Sequence, residues 1–184
     1  SGDIEIARNY IGKFSTLLRL ILDQSNKECI DIQEEVKTIT LYLELNKLRF
    51  DNKFTYEIII DNSLIDNKEE VAPMLLQPFI ENAILHGIAP LKTIGKITVR
   101  MLDKGNYIQC EIEDNGVGRD FSRTLNQNRM YKSTGIQVTQ KRIDLVNGST
   151  KLNEPEQFQI VDLYDEAKNS MGTKIIFNVL KNSI

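Results

Sequence analysis

Residues 111–121 read EIEDNGVGRDF: a strand-like alternation runs into an acid and an amide, then two glycines one residue apart. Asp-Asn-Gly alone is a turn composition, because short polar side chains and glycine tolerate the angles that a chain reversal needs. Its neighbours decide what kind of fold contains it. Upstream, KITVRML (96–102) and YIQCEIE (107–113) alternate in the strand period around Asp103-Lys104-Gly105-Asn106, a hairpin-turn composition. Downstream, residues 119–133 are polar and patternless, and compact domains keep connections of that length for functional loops. TGIQVTQKRIDLVNG (134–148) restores the helical period between Gly135 and Gly148, and FQIVDLY (158–164) and TKIIFNVL (173–180) add two strands.

Toward the amino terminus, VAPMLLQPFIENAILHG (71–87) predicts a helix with Pro73 near its first turn, Gly87 at its end and a kink or broken start at Pro78. FTYEIIID (54–61) predicts a strand that ends in an Asp-Asn-Ser turn. Residues 4–22 place Ile4, Ala7, Ile11, Phe14, Leu18 and Ile21 at steps of three and four, widened by Tyr10 and Leu17, which is an amphipathic helix. After the polar DQSNKECID (23–31), Asp31 and Glu34 have capping-box spacing and open a second helix through Val36, Ile39, Leu43 and Leu48 toward Phe50. Residues 1–50 thus read as a helical hairpin. Its apolar positions spread over more than one face, so either the rest of the chain or a second copy must cover them. Residues 51–184 read as a domain of mostly antiparallel neighbouring strands with helices between them. The expected fold class is α+β, a two-layer sandwich with helices on one face of a mixed sheet, rather than a doubly wound parallel sheet.

Composition excludes several functions. The 184 residues are 41% hydrophobic and 27% charged, and 23 basic against 26 acidic residues leave a net charge of −3 with no basic stripe, so nucleic acid is a poor partner. Cys29 and Cys110 are far apart and accompany a single histidine, His86, which suits neither a zinc site nor a disulfide framework and fits a reduced cytoplasmic setting. The longest apolar runs are far short of a bilayer span, and the amino terminus lacks a signal-peptide pattern. Ser1-Gly2-Asp3 reads as a trimmed beginning, with the natural chain expected to extend upstream, where an anchor in the membrane would lie outside this sequence.

Three glycine-bearing turns matter together: Gly116 and Gly118 after a strand, Gly135 opening a helix, and Gly172 opening the last strand. Glycine lets a backbone approach a ligand closely, and a helix start presents free N–H groups to phosphate. The spacing is neither a Walker loop nor a Rossmann turn. In this order, LLQPFIENAILHG (75–87), EIEDNGVG (111–118), STGI (133–136) with KRIDLVN (141–147), and MGT (171–173) resemble the ATP-binding domain of sensor histidine kinases. The closer likeness is to the LytS/YehU-type subfamily within the GHKL superfamily of Bergerat-fold ATPases. YIGKFSTLLRLIL (10–22) and YLELNKLRF (42–50) resemble the segment that precedes the ATPase domain there, so the likeness covers nearly the whole chain.

The resemblance implies ATP and Mg²⁺ as ligands. Asn82 matches the asparagine that coordinates the metal, and Glu81 beside it matches a glutamate that orients or activates a water or hydroxyl. Asp114 matches the carboxylate that accepts the adenine amino group, where guanine's carbonyl would leave a buried acceptor unpaired. Gly116 and Gly118 would line the base pocket, the 119–133 stretch would be a lid with Arg123, Arg129 or Lys132 on the phosphates, and Gly135 would open the helix that meets them. Gly172 and Thr173 match the last turn near the base. Leu85 stands where the family commonly has a basic residue, and Ser133 where it has a glycine. The family's phospho-acceptor histidine lies upstream of the matched segment, so this chain is not expected to phosphorylate itself. The resemblance thus implies a catalytic region that passes phosphate to an upstream histidine and on to a response regulator, dimerising through the amino-terminal helices. The rival readings are a regulatory or dimerisation module impaired in nucleotide binding, and another GHKL-type ATPase.

Overall fold

The computed structural model describes residues 2–119, 141, 143 and 158–181. Helix α1 is Gly2–Gln24, the short strand β1 is Ile30–Asp31, and helix α2 is Ile32–Arg49. Asp31 caps α2 by accepting the Gln33 N–H at 2.7 Å, whereas Glu34 turns outward to Lys27 at 3.2 Å, so half of the expected capping box forms. The hairpin closes on one side of α1. There the Gln24 amide donates to Thr38 at 3.0 Å in a buried pair, Leu17 is buried, and Lys13 pairs with Glu44. Ile4, Ile11, Phe14, Leu18 and Leu22 lie elsewhere on α1 and are 45–68% exposed. The expected apolar stripe is thus two faces, of which α2 covers the one centred on Leu17.

Strands β2 (Phe54–Ile60), β4 (Gly95–Asp103), β5 (Tyr107–Asp114), β6 (Phe158–Tyr164) and β7 (Ser170–Leu180) form one sheet in the order β2-β4-β5-β7-β6. β2 and β4 run parallel and the other pairs antiparallel. A parallel neighbour needs a crossover, and the intervening chain supplies it: helix α3 (Asn62–Asp66), strand β3 (Glu70–Val71) and helix α4 (Gln77–Asn82), which continues as a π-helical turn over Ala83–Ile88. The alternation foreseen in the strands is what builds the core. Ile97, Val99 and Met101, then Ile108, Cys110 and Ile112, then Ile175, Phe177 and Val179 all enter one buried cluster. Phe79, Ile80, Ile84 and Ile88 from the crossover, Ile39 and Leu43 from α2, and Ile143 complete that cluster. The residues of opposite parity form a ladder of cross-strand ion pairs: Lys96 to Glu57 at 2.8 Å, Arg100 to Glu113 at 3.2 Å and Lys174 to Glu111 at 2.8 Å. A sheet with an apolar face under helices and a charged face opposite is the expected two-layer α+β arrangement. Cys110 sits in its centre, and burial, with Glu35's charge, pushes its thiol above the ordinary range.

Two local expectations change. The Asp-Asn-Ser segment after β2 is the start of α3, and Asp61, just before it, accepts the Asp103 N–H at 2.8 Å. The helix expected from 71 begins at Gln77, because Val71 pairs with Ile30 in a small antiparallel sheet and Pro78, which has no N–H to donate, fits the first helical turn. Of the helix expected over 134–148, Lys141 and Ile143 are described and both are helical. Arg123, Arg129, Lys132, Ser133 and Gly135 lie outside the described residues. No helix among those described is long and apolar enough to cross a membrane.

Candidate functional site

At the carboxyl end of β5 the sheet presents one buried acid. Asp114 is 6% exposed, pairs in register with Ile97 of β4 and Thr173 of β7, and accepts the Gly116 N–H on Oδ1 at 2.9 Å. Burial raises its carboxyl to about 6. The N–H groups of Gly116 and Thr173 pull the other way, and the charge of Glu113 adds to the rise. A carboxylate in such a place, with no cationic partner among the described residues, is costly to the fold, and acids so perturbed concentrate at functional sites.

The glycines explain how backbone packs so closely around it. A Cβ on Gly87, at the end of the π-helical turn, would overlap Asp114 Oδ1, and one on Gly116 would overlap the Gly87 backbone. Val117 N–H donates to the Gly87 carbonyl at 3.0 Å, so the turn after β5 is stitched directly to that helix end. Gly172 opens onto the same point from β7: its φ is +119°, and a Cβ there would overlap the backbone oxygen of Asp114. Gly118, at φ +73°, packs its Cα side against Ser170. Asp114, Gly116, Gly118, Gly172 and Thr173 are therefore brought together as expected. Gly87 joins them, although the sequence had suggested it as a helix end and nothing more. Asn115 of the same turn is structural: its Oδ1 accepts the Lys96 N–H at 2.6 Å and ties the turn to β4.

Glu81 and Asn82 close α4, a little over one turn before Gly87 on the same helical stretch. Glu81 is exposed and Asn82 half-buried. Glu81 lies close enough to Tyr42 of α2 for its charge to matter: burial first, and then Glu81, push the Tyr42 phenol up to about 12. The π-helical turn, whose Ala89 N–H reaches back to Ile84 at 2.8 Å, buries Ala83, Ile84, Gly87 and Ile88 and leaves Leu85 and His86 exposed. Such one-turn widenings recur at functional sites. Arg119, the first residue of the polar stretch, forks onto both carboxylate oxygens of Asp162 on β6.

Comparison with known proteins bears on the family and the fold. Residues 1–54 match the family model described as histidine kinase. Sensor histidine kinase YpdA of Escherichia coli K12 is 35% identical over 118 residues, 63% of this chain and 20% of that protein. Sensor protein LytS of Oceanobacillus iheyensis is 27% identical over 82% of this chain and 27% of its own length, and LytS of Bacillus cereus is 26% identical over 97% and 29%. The chain therefore spans about a fifth to under a third of these relatives. Among solved structures, the catalytic domain of histidine kinase ThkA superposes with a TM-score of 0.55 at 16% identity, covering 83% of this chain and 94% of that one. Histidine kinase AdeS of Acinetobacter baumannii gives 0.54 at 16% identity over 99% and 82%. In sequence the chain is similar to part of several sensor histidine kinases, LytS among them, and in fold it is similar to the catalytic domains of histidine kinases.

Proposed function

We propose that residues 51–184 are the ATP-binding catalytic domain of a two-component sensor histidine kinase and that residues 1–50 belong to its dimerisation and phosphotransfer region. The observation that carries this reading is Asp114, a buried acceptor at a strand end with the backbones of Gly87, Gly116 and Gly172 packed close about it. A flat base with an exocyclic amino group suits such an acceptor. The other end suits Mg²⁺: Asn82 offers a neutral hard oxygen ligand on the helical stretch that ends against Asp114. The ion's chemistry, when bound, is to neutralise charge on the phosphate oxygens. In this reading Asp114 holds the base, Thr173 orients Asp114, Asn82 holds the metal and Glu81 orients the hydroxyl or water beside the terminal phosphate. Lys132 and Gly135, with the rest of the 119–133 stretch, belong to the phosphate end. The γ-phosphoryl then passes to a histidine upstream and to a response regulator; a structure of histidine kinase ThkA in complex with the response regulator TrrA supports that choice of partner. The exposed Ile4, Ile11, Phe14, Leu18 and Leu22 face of α1 is the dimer contact in this reading.

The test is thermal unfolding with nucleotide. ATP with Mg²⁺ at a hundredfold over its dissociation constant is expected to add about 2.7 kcal/mol, a rise of roughly 5–10 °C in Tm for a chain of this size, while GTP adds little. A second reading, a nucleotide-impaired regulatory module, is favoured by Leu85, which puts an apolar side chain, 38% exposed, where the resemblance puts a base. Absence of any shift with ATP would select it.

A further inference from the structure

The two ends of the proposed site are held by different parts of the molecule. Asp114 is fixed by the β5–β7 pairing, and Gly172 beside it by the pairing of β7 with β6. Glu81 and Asn82 are carried by α4, which has six residues and, at its own N-cap Leu76, no side-chain cap. Its far end runs on into the buried π-helical turn, so its start is the end that needs holding. The N–H groups of the turn that leads into it go to one side chain on a distant helix. Glu35 of α2, 1% exposed, accepts from Met74 at 2.9 Å, from Leu75 at 3.1 Å and from Leu76 at 3.5 Å.

The turn that Glu35 holds is strained. Met74 adopts φ +55°, a conformation that a residue with an unbranched apolar side chain rarely takes and that persists only where its surroundings enforce it. Pro73 precedes it and Pro78 follows, so Met74, Leu75 and Leu76 are the N–H groups that the turn presents to an acceptor. A second contact lies further along α2: Tyr42 stands beside Glu81 itself, and Glu35, Thr38, Tyr42, Met74 and Gln77 line one narrow crevice between α2 and α4.

Resting on the nucleotide reading above, we propose that Glu35 is a positioning residue for the metal end of the site. It pins the turn at 74–76 that leads into α4 and so sets where α4 delivers Asn82 and Glu81. The hairpin is thereby coupled to nucleotide geometry through one carboxylate: a displacement of α2 along its axis moves that turn, and with it the metal ligand, while Asp114 stays with the sheet.

The test uses the whole chain and the probe AMP-PNP, with Mg²⁺ and with EDTA, alongside amide hydrogen exchange across residues 77–82. In Glu35→Gln the amide N–H₂ faces backbone donors, so exchange over 77–82 should quicken about tenfold and the gain in affinity on adding Mg²⁺ should fall about tenfold, the range seen when groups supporting a metal ligand are lost. Affinity in EDTA, set by Asp114, should stay within about twofold. Equal losses with and without Mg²⁺, or wild-type exchange over 77–82, would overturn the proposal and leave Glu35 a purely structural buried acid. The double variant E35Q/M74G, whose turn is free of strain, decides the matter if E35Q alone does not fold. A Mg²⁺ gain below that of the unaltered chain supports the proposal, and full recovery overturns it. If the unaltered chain shows no Mg²⁺-dependent gain at all, the nucleotide reading falls, and exchange over 77–82 still decides whether Glu35 positions the helix.

Discussion

Asp114→Asn is expected to lower Mg-ATP affinity about a hundredfold, the loss of a charge-assisted hydrogen bond at a buried position, while making the nucleotide-free chain more stable at pH 8. Both effects come from one desolvated carboxylate. Asn must turn its oxygen to the Gly116 N–H that Asp114 Oδ1 now accepts at 2.9 Å, so its own N–H₂ points where the adenine amino group would donate. Two donors then face each other. The stability effect has the opposite sign because ionising Asp114 costs the fold. Its carboxyl lies at about 6 in the folded chain against 3.8 in the unfolded one. The native state therefore holds that proton more tightly, and the resulting stabilisation is complete below 3.8 and lost as pH rises through about 6. That rise amounts to about 3 kcal/mol, and the group is buried enough for little of it to be screened. The unaltered chain should thus gain stability from this group between pH 8 and pH 5, and the Asn variant should not. Urea unfolding at the two pH values together with calorimetric titration of ATP checks both. An Asn variant that binds ATP as the unaltered chain does would remove the basis of the proposed function.

Gly172→Ala should be the most damaging small substitution in the described chain, at about 3–5 kcal/mol, the sum of a strained φ and an overlap with backbone. The new Cβ would meet the Asp114 carbonyl oxygen, its carbon at 2.7 Å and the Asn115 Cα at 2.8 Å, none of which is the movable end of a side chain. Gly105→Ala provides the control. Gly105 also has positive φ, +78°, but a Cβ there meets nothing within 4 Å, so it should cost about 1 kcal/mol, for strain alone. A Gly172→Ala protein as stable as the Gly105→Ala one would mean that the β5 and β7 ends are not as close as described. At the site, the alanine should also disturb the Thr173 N–H that orients Asp114, so nucleotide affinity should fall even where the fold survives.

The long elements were legible because their burial is periodic. Ile97, Val99 and Met101 alternate and are buried, and α1 and α2 follow three-and-four spacing and are helices of 23 and 18 residues. The short ones were not, because distant partners set them. Nothing local in Asn62–Asp66 separates a turn from one helical turn, and Val71 reads as helical until Ile30 is known to pair with it. Met74 is unremarkable in sequence, and its positive φ exists because an acid about forty residues earlier holds the turn. That acid, Glu35, is indistinguishable from its exposed neighbour Glu34 until its partner is seen. Asp114 and the glycines of its turn could be singled out from their spacing and from the resemblance. Gly87 could not be weighed, since its significance is the absence of a side chain opposite Asp114 rather than anything it carries.

The order of the strands also bears on how the molecule assembles. β4 and β5 meet across a tight turn and can zip up locally. Phe54 reaches Gly95 only after everything from α3 through α4 has been gathered in, and Asp114 reaches Thr173 only when the last strand returns. Closures between such distant partners are slow beside hairpin formation. Early species should therefore hold the β4–β5 hairpin without the Asp114–Thr173 pairing, and any ligand that needs that pairing would favour the finished molecule without hastening the first steps.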